Sequence, residues 1–374
     1  MASWEKRHIG RTDVQVTSLG LGTATMGGSR VRMSNDERLR LVNAAWDAGV
    51  RYVDTAPFYG LGAAERAVGD PLRDRPRDEW VLSTKVGRLL HPRRDNGGGS
   101  DGRLAPMPFE VKYDYSYDGI MRSIEHSYQR LGLARIDVLL VHDIGVYQHG
   151  KEVNAAHMTV LRDSGYRALE ELKRSGEIGA FGLGVNEKEV LLDVLTWGDW
   201  DAFLLAGRYT LLEQGPLDDL LPKCVTRGTS IVVGGPLNSG ILAGRDTWNY
   251  AAAPPDIVAR DERDPRNMRC ARRAVGRGGL AVSPGAPCRG CDHTWSALGR
   301  GVRGEPVAAP ATHPVGLVGR PAGQGAAASR GADPVMRGSS RVRTRSLESR
   351  KRLSSLIPAT AAGYSDSLDD ARQP

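Results

Sequence analysis

Ile136-Asp-Val-Leu-Leu-Val-His142 carries five apolar residues in seven and ends on a histidine. A strand with so little polar alternation is covered on both faces, the usual condition of a strand in a parallel sheet. The same shape recurs to either side. Upstream lie Val16-Thr-Ser-Leu-Gly-Leu-Gly22, Arg51-Tyr-Val-Asp54 and Trp80-Val-Leu-Ser-Thr-Lys85; downstream lie Ile178-Gly-Ala-Phe-Gly-Leu-Gly-Val185, Ala202-Phe-Leu-Leu-Ala206 and Ser230-Ile-Val-Val233. Helical patterns fall between them near residues 35–48, 63–73, 118–131, 166–175, 187–195 and 216–227. Ser34 with Glu37 three residues on reads as a capping box, and Gly49 stands past the end of that helix. Residues 5–16 read as a hairpin turning at Gly10-Arg11-Thr12-Asp13, placed to plug the bottom of a barrel.

Seven strand-helix repeats suit either a parallel barrel or a doubly wound open sheet. The open sheet requires a glycine-rich turn leading from its first strand into a helix, and Gly20-Leu-Gly22-Thr-Ala-Thr leads to none at that spacing. Polar residues instead stand at the C-terminal ends of four different strands: Asp54, Lys85, His142 and Asn186. A barrel whose site is assembled from many strand ends has that distribution. The expected fold is therefore α/β, a (β/α)8 TIM-type barrel.

Composition narrows the setting. With 40% hydrophobic and 25% charged residues in 374, the chain is neither a disulfide miniprotein, a collagen-like repeat nor a wholly disordered polymer. No apolar stretch approaches the roughly 20 residues of a membrane span, and Met1-Ala-Ser-Trp-Glu-Lys-Arg-His8 lacks the apolar core of a signal peptide. Cys224, Cys270, Cys288 and Cys291 are too few and too unevenly spaced for a disulfide framework, so a reducing, cytoplasmic location without membrane contact is expected. The net charge of +7 is unevenly shared: residues 263–374 carry 18 Arg and 1 Lys against 8 acidic residues, whereas 1–262 carry 32 basic and 36 acidic residues. The basic excess belongs to the tail, and no specific nucleic-acid partner is expected.

Asp54-Thr-Ala-Pro-Phe-Tyr59-Gly, Ser83-Thr-Lys85 and Leu140-Val-His142-Asp resemble the Asp, Tyr, Lys, His tetrad of the aldo-keto reductases. Taken singly, Asp54 could cap a turn, Lys85 could be a solvated strand end and His142 a core histidine. Taken together, four of four in order on successive strand ends point to chemistry. A carbon exchanging hydride with a nicotinamide needs a proton donor or acceptor on its oxygen, and a phenol serves at neutral pH when a neighbouring cation stabilises its phenolate. The resemblance makes Tyr59 that acid/base and Lys85 the cation. Asp54 holds Lys85, and neutral His142 orients the substrate oxygen.

The resemblance spans about residues 5–260. Gly184-Val-Asn186-Glu and Leu204-Leu-Ala-Gly-Arg-Tyr-Thr-Leu-Leu-Glu-Gln214 are similar to the branch holding sugar 1-dehydrogenases and a pyridoxal 4-dehydrogenase. It implies oxidation with NAD or NADP of a small-molecule sugar, aldehyde or alcohol, an aldopyranose losing hydride from C1 to give a lactone. Pyridoxal oxidation, or a cofactor-binding homologue without turnover, are the alternatives. By position, Asn186 would bind the nicotinamide carboxamide. Tyr209 would stack on the ring, or stand as an ordinary barrel-mouth aromatic. The loop Gly235-Pro236-Leu237-Asn-Ser-Gly240-Ile-Leu242 would wrap the pyrophosphate.

The family continues beyond residue 260 with an amphipathic helix, an eighth strand and a basic loop, none of them legible here. Residues 263–374 contain no Phe and one Ile, Ile357, and more than half are Ala, Arg, Gly or Pro. Such a segment buries too little apolar surface to offset its ordering entropy. The expected organisation is a barrel over 1–262, incomplete at its eighth β-α unit, and a tail over 263–374 without regular strands. The tail reads as disordered, as a nucleic-acid-binding arm or as the translation of a shifted frame. Cys288-Arg-Gly-Cys291-Asp-His293, with Cys270 upstream, can be drawn as a zinc site, but one Cys-x-x-Cys in low-complexity sequence reads as accidental and no metal is expected. The pattern carries no signal for oligomeric state.

Overall fold

An antiparallel hairpin of β1 (Lys6–His8) and β2 (Gln15–Thr17) begins the chain, and its Ile9 and Val16 are fully buried against the inward residues Tyr52, Val138, Leu140, Ala180, Ala202, Leu204 and Val232. Those residues lie toward the starts of the strands, so the hairpin plugs the barrel floor, as its sequence suggests. The computed structural model describes residues 4–28, 32–94, 107–263 and 280–283. The chain divides into two units, Met1–Gly319 and Arg320–Pro374, and the described residues all belong to the first.

The strand-helix alternation then runs as β3 (Leu19–Gly22), α1 (Asn35–Asp47), β4 (Tyr52–Asp54), α2 (Ala63–Arg73), β5 (Val81–Val86), the hairpin β6 (Arg88–Pro92) and β7 (Phe109–Tyr113), α3 (Tyr117–Leu131) and β8 (Val138–His142). It continues as α4 (Val146–His149), α5 (Lys151–Val160), α6 (Tyr166–Arg174), β9 (Ala180–Val185), α7 (Lys188–Val194), β10 (Ala202–Ala206), α8 (Leu220–Arg227) and β11 (Ser230–Gly234). The short hairpin β12 (Thr247–Trp248) and β13 (Ala251–Ala252), α9 (Pro255–Arg263) and β14 (Leu280–Ser283) complete the described elements. The capping box at α1 forms as its sequence implies: Glu37 N donates to Ser34 Oγ at 3.2 Å while Ser34 N donates to Glu37 Oε2 at 2.7 Å, a cap worth about 1 kcal/mol. The main core lies between strands and helices, with Ile120, Ile124 and Leu131 of α3 facing Leu82, Leu139 and Val141 in one cluster.

Seven strands, β3, β4, β5, β8, β9, β10 and β11, pair in parallel in that order. β14 lies between β11 and β3 and closes the ring, antiparallel to both, pairing Val232 with Val282 and Gly20 with Leu280. The expectation of no strand beyond residue 262 is therefore corrected. Two unpaired edges attract any extended segment able to bond to them, and Leu280-Ala-Val-Ser283 follows two glycines as an apolar run in a polar tail. Its direction is opposite to that of an eighth β-α unit, so the barrel is seven parallel strands with an antiparallel closing strand. The remaining tail and the Cys270, Cys288, Cys291 and His293 grouping lie outside the described residues. Among the described residues no helix is long and apolar enough to cross a membrane, and no group of metal-ligating side chains occurs.

Candidate active site

Strand register explains why residues far apart in sequence meet. Asp54 pairs with Ser83; two residues on, Lys85 pairs with Leu140; two further, His142 pairs with Gly184; and Asn186 follows Gly184 by two. Side chains repeat on one face every second residue, so a stagger of two per strand carries one inward row around the barrel. Asp54, Lys85, His142 and Asn186 stand on that row at the C-terminal end.

Lys85 Nζ donates to Asp54 Oδ2 at 2.7 Å and to the Thr55 carbonyl at 2.9 Å, and the Lys85 side chain is 1% exposed. Asp54 Oδ1 accepts from Ser83 Oγ at 2.7 Å, and Ser83 Oγ lies 3.0 Å from the Tyr52 hydroxyl. Every polar atom of the aspartate is thereby held, as a buried charge requires. Room for the lysine comes from Gly184, where a Cβ would stand 3.1 Å from Lys85 Cε.

Tyr59 reaches the row from the loop before α2. Gly27 and Gly60 face each other so closely that a Cβ on Gly27 would lie 2.3 Å from Gly60 N, and Gly60 has φ 66°. This contact presses the Tyr59 loop onto the 3-10 turn Ala24–Gly27. The half-buried Tyr59 ring stands 4.7 Å from Lys85 Nζ and meets His142 edge-on, ring centres 5.7 Å apart. The four tetrad residues thus converge at one end of the barrel.

The electrostatics differ from the simplest sequence account in one respect. Burial pushes the Tyr59 phenol well above its ordinary value, the Asp54 and Asp143 carboxylates and the Tyr250 phenol push it further, and the opposing pull comes from Arg88. Lys85 is held by Asp54 instead of acting as an unshared charge beside the phenol. His142 is held well below its ordinary value by burial and by the Arg88 and Lys85 cations, so its imidazole is neutral at neutral pH.

Arg88, Asp143 and Tyr115 are additions that sequence reasoning missed. Arg88 Nη2 donates to Asp143 Oδ2 at 2.6 Å. Tyr115, fully buried in the main core, donates its hydroxyl to the His142 carbonyl at 3.0 Å. The available signal was a second charged residue just beyond two of the strand ends, in Lys85-Val-Gly-Arg88 and His142-Asp143.

The expected cofactor residues divide into two groups. Asn186 sits at the mouth, its Nδ2 donating to Asp143 Oδ1 at 3.2 Å and its Oδ1 accepting from the Tyr250 hydroxyl at 3.1 Å. Gly235, exposed and with φ 56°, follows β11 opposite Gly207, which follows β10; a Cβ there would lie 3.4 Å from Gly207 N, and the half-buried Pro236 and Leu237 come next. Tyr209, by contrast, is 4% exposed and belongs to the main core cluster. Gly240 is buried with φ 122°, where a Cβ would crowd Arg245 and Thr247; Leu242 is fully buried with Leu212, Ile241 and Ile257. A depression lined by Gly244, Arg245, Asp246, Thr247 and Tyr250 adjoins this loop and carries an exposed cation. The exposed Arg245 in this depression and the Asn186 amide, linked through Tyr250, suit a dinucleotide.

The sequence profile of the Aldo/keto reductase family matches residues 18–275. A pyridoxal 4-dehydrogenase from Microbacterium luteolum is 44% identical over 277 residues, covering 69% of this chain and 79% of that protein. A D-threo-aldose 1-dehydrogenase from a Pseudomonas species is 40% identical over 251 residues, covering 65% and 74%. An aldo-keto reductase structure from Bacillus halodurans, in its holo form, superposes with a TM-score of 0.56 at 23% identity, covering 79% of this chain and 90% of that one, a likeness of fold.

Proposed function

Because the chain belongs to the aldo/keto reductase family, an oxidoreductase family, we propose that it is an NAD(P)-dependent dehydrogenase taking hydride from C1 of an aldose of the L-fucose or D-threo type and yielding an aldonolactone. The observation that carries this reading is the closed row of Asp54, Lys85, His142 and Tyr59 beside Asn186. A bound nicotinamide supplies the hydride acceptor. Residues 1–262 would carry the chemistry, with Asn186 holding the carboxamide and Gly235, Pro236 and Leu237 the pyrophosphate, while the buried Tyr209, Gly240 and Leu242 would support that loop from within.

Neutral His142 and the Tyr59 hydroxyl hold the substrate oxygen between them. Tyr59 is the proton-exchanging group: its phenolate takes the hydroxyl proton during oxidation, and its phenol returns one during reduction. Lys85, fixed by Asp54 and the Thr55 carbonyl, places a cation beneath the phenol ring and holds the Asp54 side chain in place.

Pyridoxal oxidation is a second reading, supported by the 44% identical relative. Reduction of NAD and NADP followed at 340 nm with L-fucose, D-arabinose and pyridoxal separates the two. Turnover with the sugars supports the first reading, and turnover with pyridoxal alone the second. Nicotinamide fluorescence quenching without turnover on any of them supports a binding protein instead.

A further inference from the structure

Arg88 opens β6 just beyond Lys85, and it is 1% exposed. Its Nη2 donates to Asp143 Oδ2 at 2.6 Å and to Gln148 Oε1 at 3.2 Å, and its guanidinium lies 4.1 Å over the Phe58 ring. Its Nε and Nη1 have no hydrogen-bond partner among the described residues. A buried ion pair of this kind is weak support for stability, since its desolvation cost rivals its attraction. Its position indicates another use.

Asp143 has φ 42°, an uncommon conformation for a residue with a side chain, and is pinned there by its own N–H, which donates to the Gly184 carbonyl at 2.9 Å. Its Oδ2 meets Arg88 and lies 3.5 Å from His142 Nε2, while Oδ1 accepts from Asn186 Nδ2. An ionised carboxylate only accepts hydrogen bonds. It therefore decides which way the Asn186 amide faces, with the NH2 toward Asp143 and the carbonyl toward the mouth. The Tyr250 hydroxyl donating to Asn186 Oδ1 at 3.1 Å agrees with that orientation. Burial pushes the Asp143 carboxyl up from its ordinary value, and the Arg88 cation pulls it back toward the charged state.

The geometry points to Arg88 and Asp143 as a positioning pair that presents the Asn186 carbonyl to the ligand, selecting a nicotinamide carboxamide over a nicotinic acid carboxylate. This rests on the reading of Asn186 as the carboxamide contact. The selection follows from the donor set: a carboxamide offers an N–H to the outward carbonyl, whereas a carboxylate brings only acceptors against that carbonyl and repels Asp143.

The test compares dissociation constants of NAD and of its nicotinic acid analogue, deamido-NAD, measured by protein fluorescence on the full chain. The expected wild-type preference for NAD is at least about tenfold, the scale of one charge-assisted contact. In Asp143→Asn the amide turns freely and the negative charge is gone, so the preference falls to within about threefold; Arg88→Met has the same effect, and Arg88→Lys restores most of the preference. A general structural defect weakens both ligands alike and leaves their ratio unchanged. A wild-type ratio retained in Asp143→Asn overturns the positioning role. Asn186→Ala serves as the separate control: NAD binding unchanged there overturns the underlying reading of Asn186, and with it the role of the pair.

Discussion

Burial holds Tyr59 as a neutral phenol at neutral pH, and its proposed role as acid/base then predicts the pH dependence of each direction of reaction. Oxidation uses the ionised fraction, which grows about tenfold per pH unit below the pKa. The oxidation rate should climb from pH 7 to pH 10 without levelling, while reduction of the matching carbonyl, served by the neutral phenol, stays level. An oxidation profile that plateaus near pH 7 would contradict the assignment. His142, neutral by burial, should add no inflection near its ordinary value. Lys85→Met leaves Asp54 buried without its cation, a loss of about 3–5 kcal/mol in urea unfolding; unchanged stability would mean that Asp54 finds another partner. Asp54, Lys85 and His142 were legible because each stands at the end, or one residue before the end, of a strand of largely buried residues. Arg88 and Asp143 were not, because charges one to three residues past a strand end look like the first solvated residues of a loop. Their burial depends on Phe58, Tyr113 and Gln148, brought in from other segments.

Elements were legible where apolar periodicity was strong and obscure where packing, not pattern, dictated the backbone. The seven parallel strands fall within two residues of their sequence-derived limits except the first, which divides into β2 in the hairpin and β3 in the barrel. The helix expected from residue 166 is the last part of a longer one. α5 leads through a wide π turn, Leu161–Gly165, into α6. At Gly165, inside that longer helix, a Cβ would lie 2.1 Å from the Tyr115 carbonyl, so only glycine fits. α5 escaped notice because Asn154 is its one buried residue, so it has no apolar stripe. The Gly27 and Gly60 contact was equally hidden and makes a prediction at this scale. Gly27→Ala forces the Tyr59 loop away from the barrel, a close-packing strain of about 1–3 kcal/mol. It should lower kcat at least about tenfold while leaving NAD affinity within about twofold, because Asn186 and Gly235 lie elsewhere. Equal losses in both quantities would show that the contact supports the whole mouth.

At the scale of the molecule, closure depends on a strand that composition did not announce. β14 bonds to both β3 and β11, so a chain ending at residue 263 exposes two strand edges, whereas a chain ending at residue 319 keeps β14. The longer truncation should match the full chain in thermal midpoint, and the shorter should unfold several degrees lower and aggregate on concentration. Equal midpoints would show that the seven parallel strands suffice without β14. We propose that this chain, closed in that way, moves hydride between substrate and a nicotinamide while Tyr59 exchanges the proton on the substrate oxygen. The most direct measurement pairs the rate of NAD(P)H formation at 340 nm with cofactor affinity by fluorescence, for the full-length protein and for Tyr59→Phe. We expect measurable turnover by the unaltered chain, a fall of about 10²–10⁴-fold in Tyr59→Phe and an unchanged cofactor dissociation constant. Comparable rates in the two proteins would contradict it.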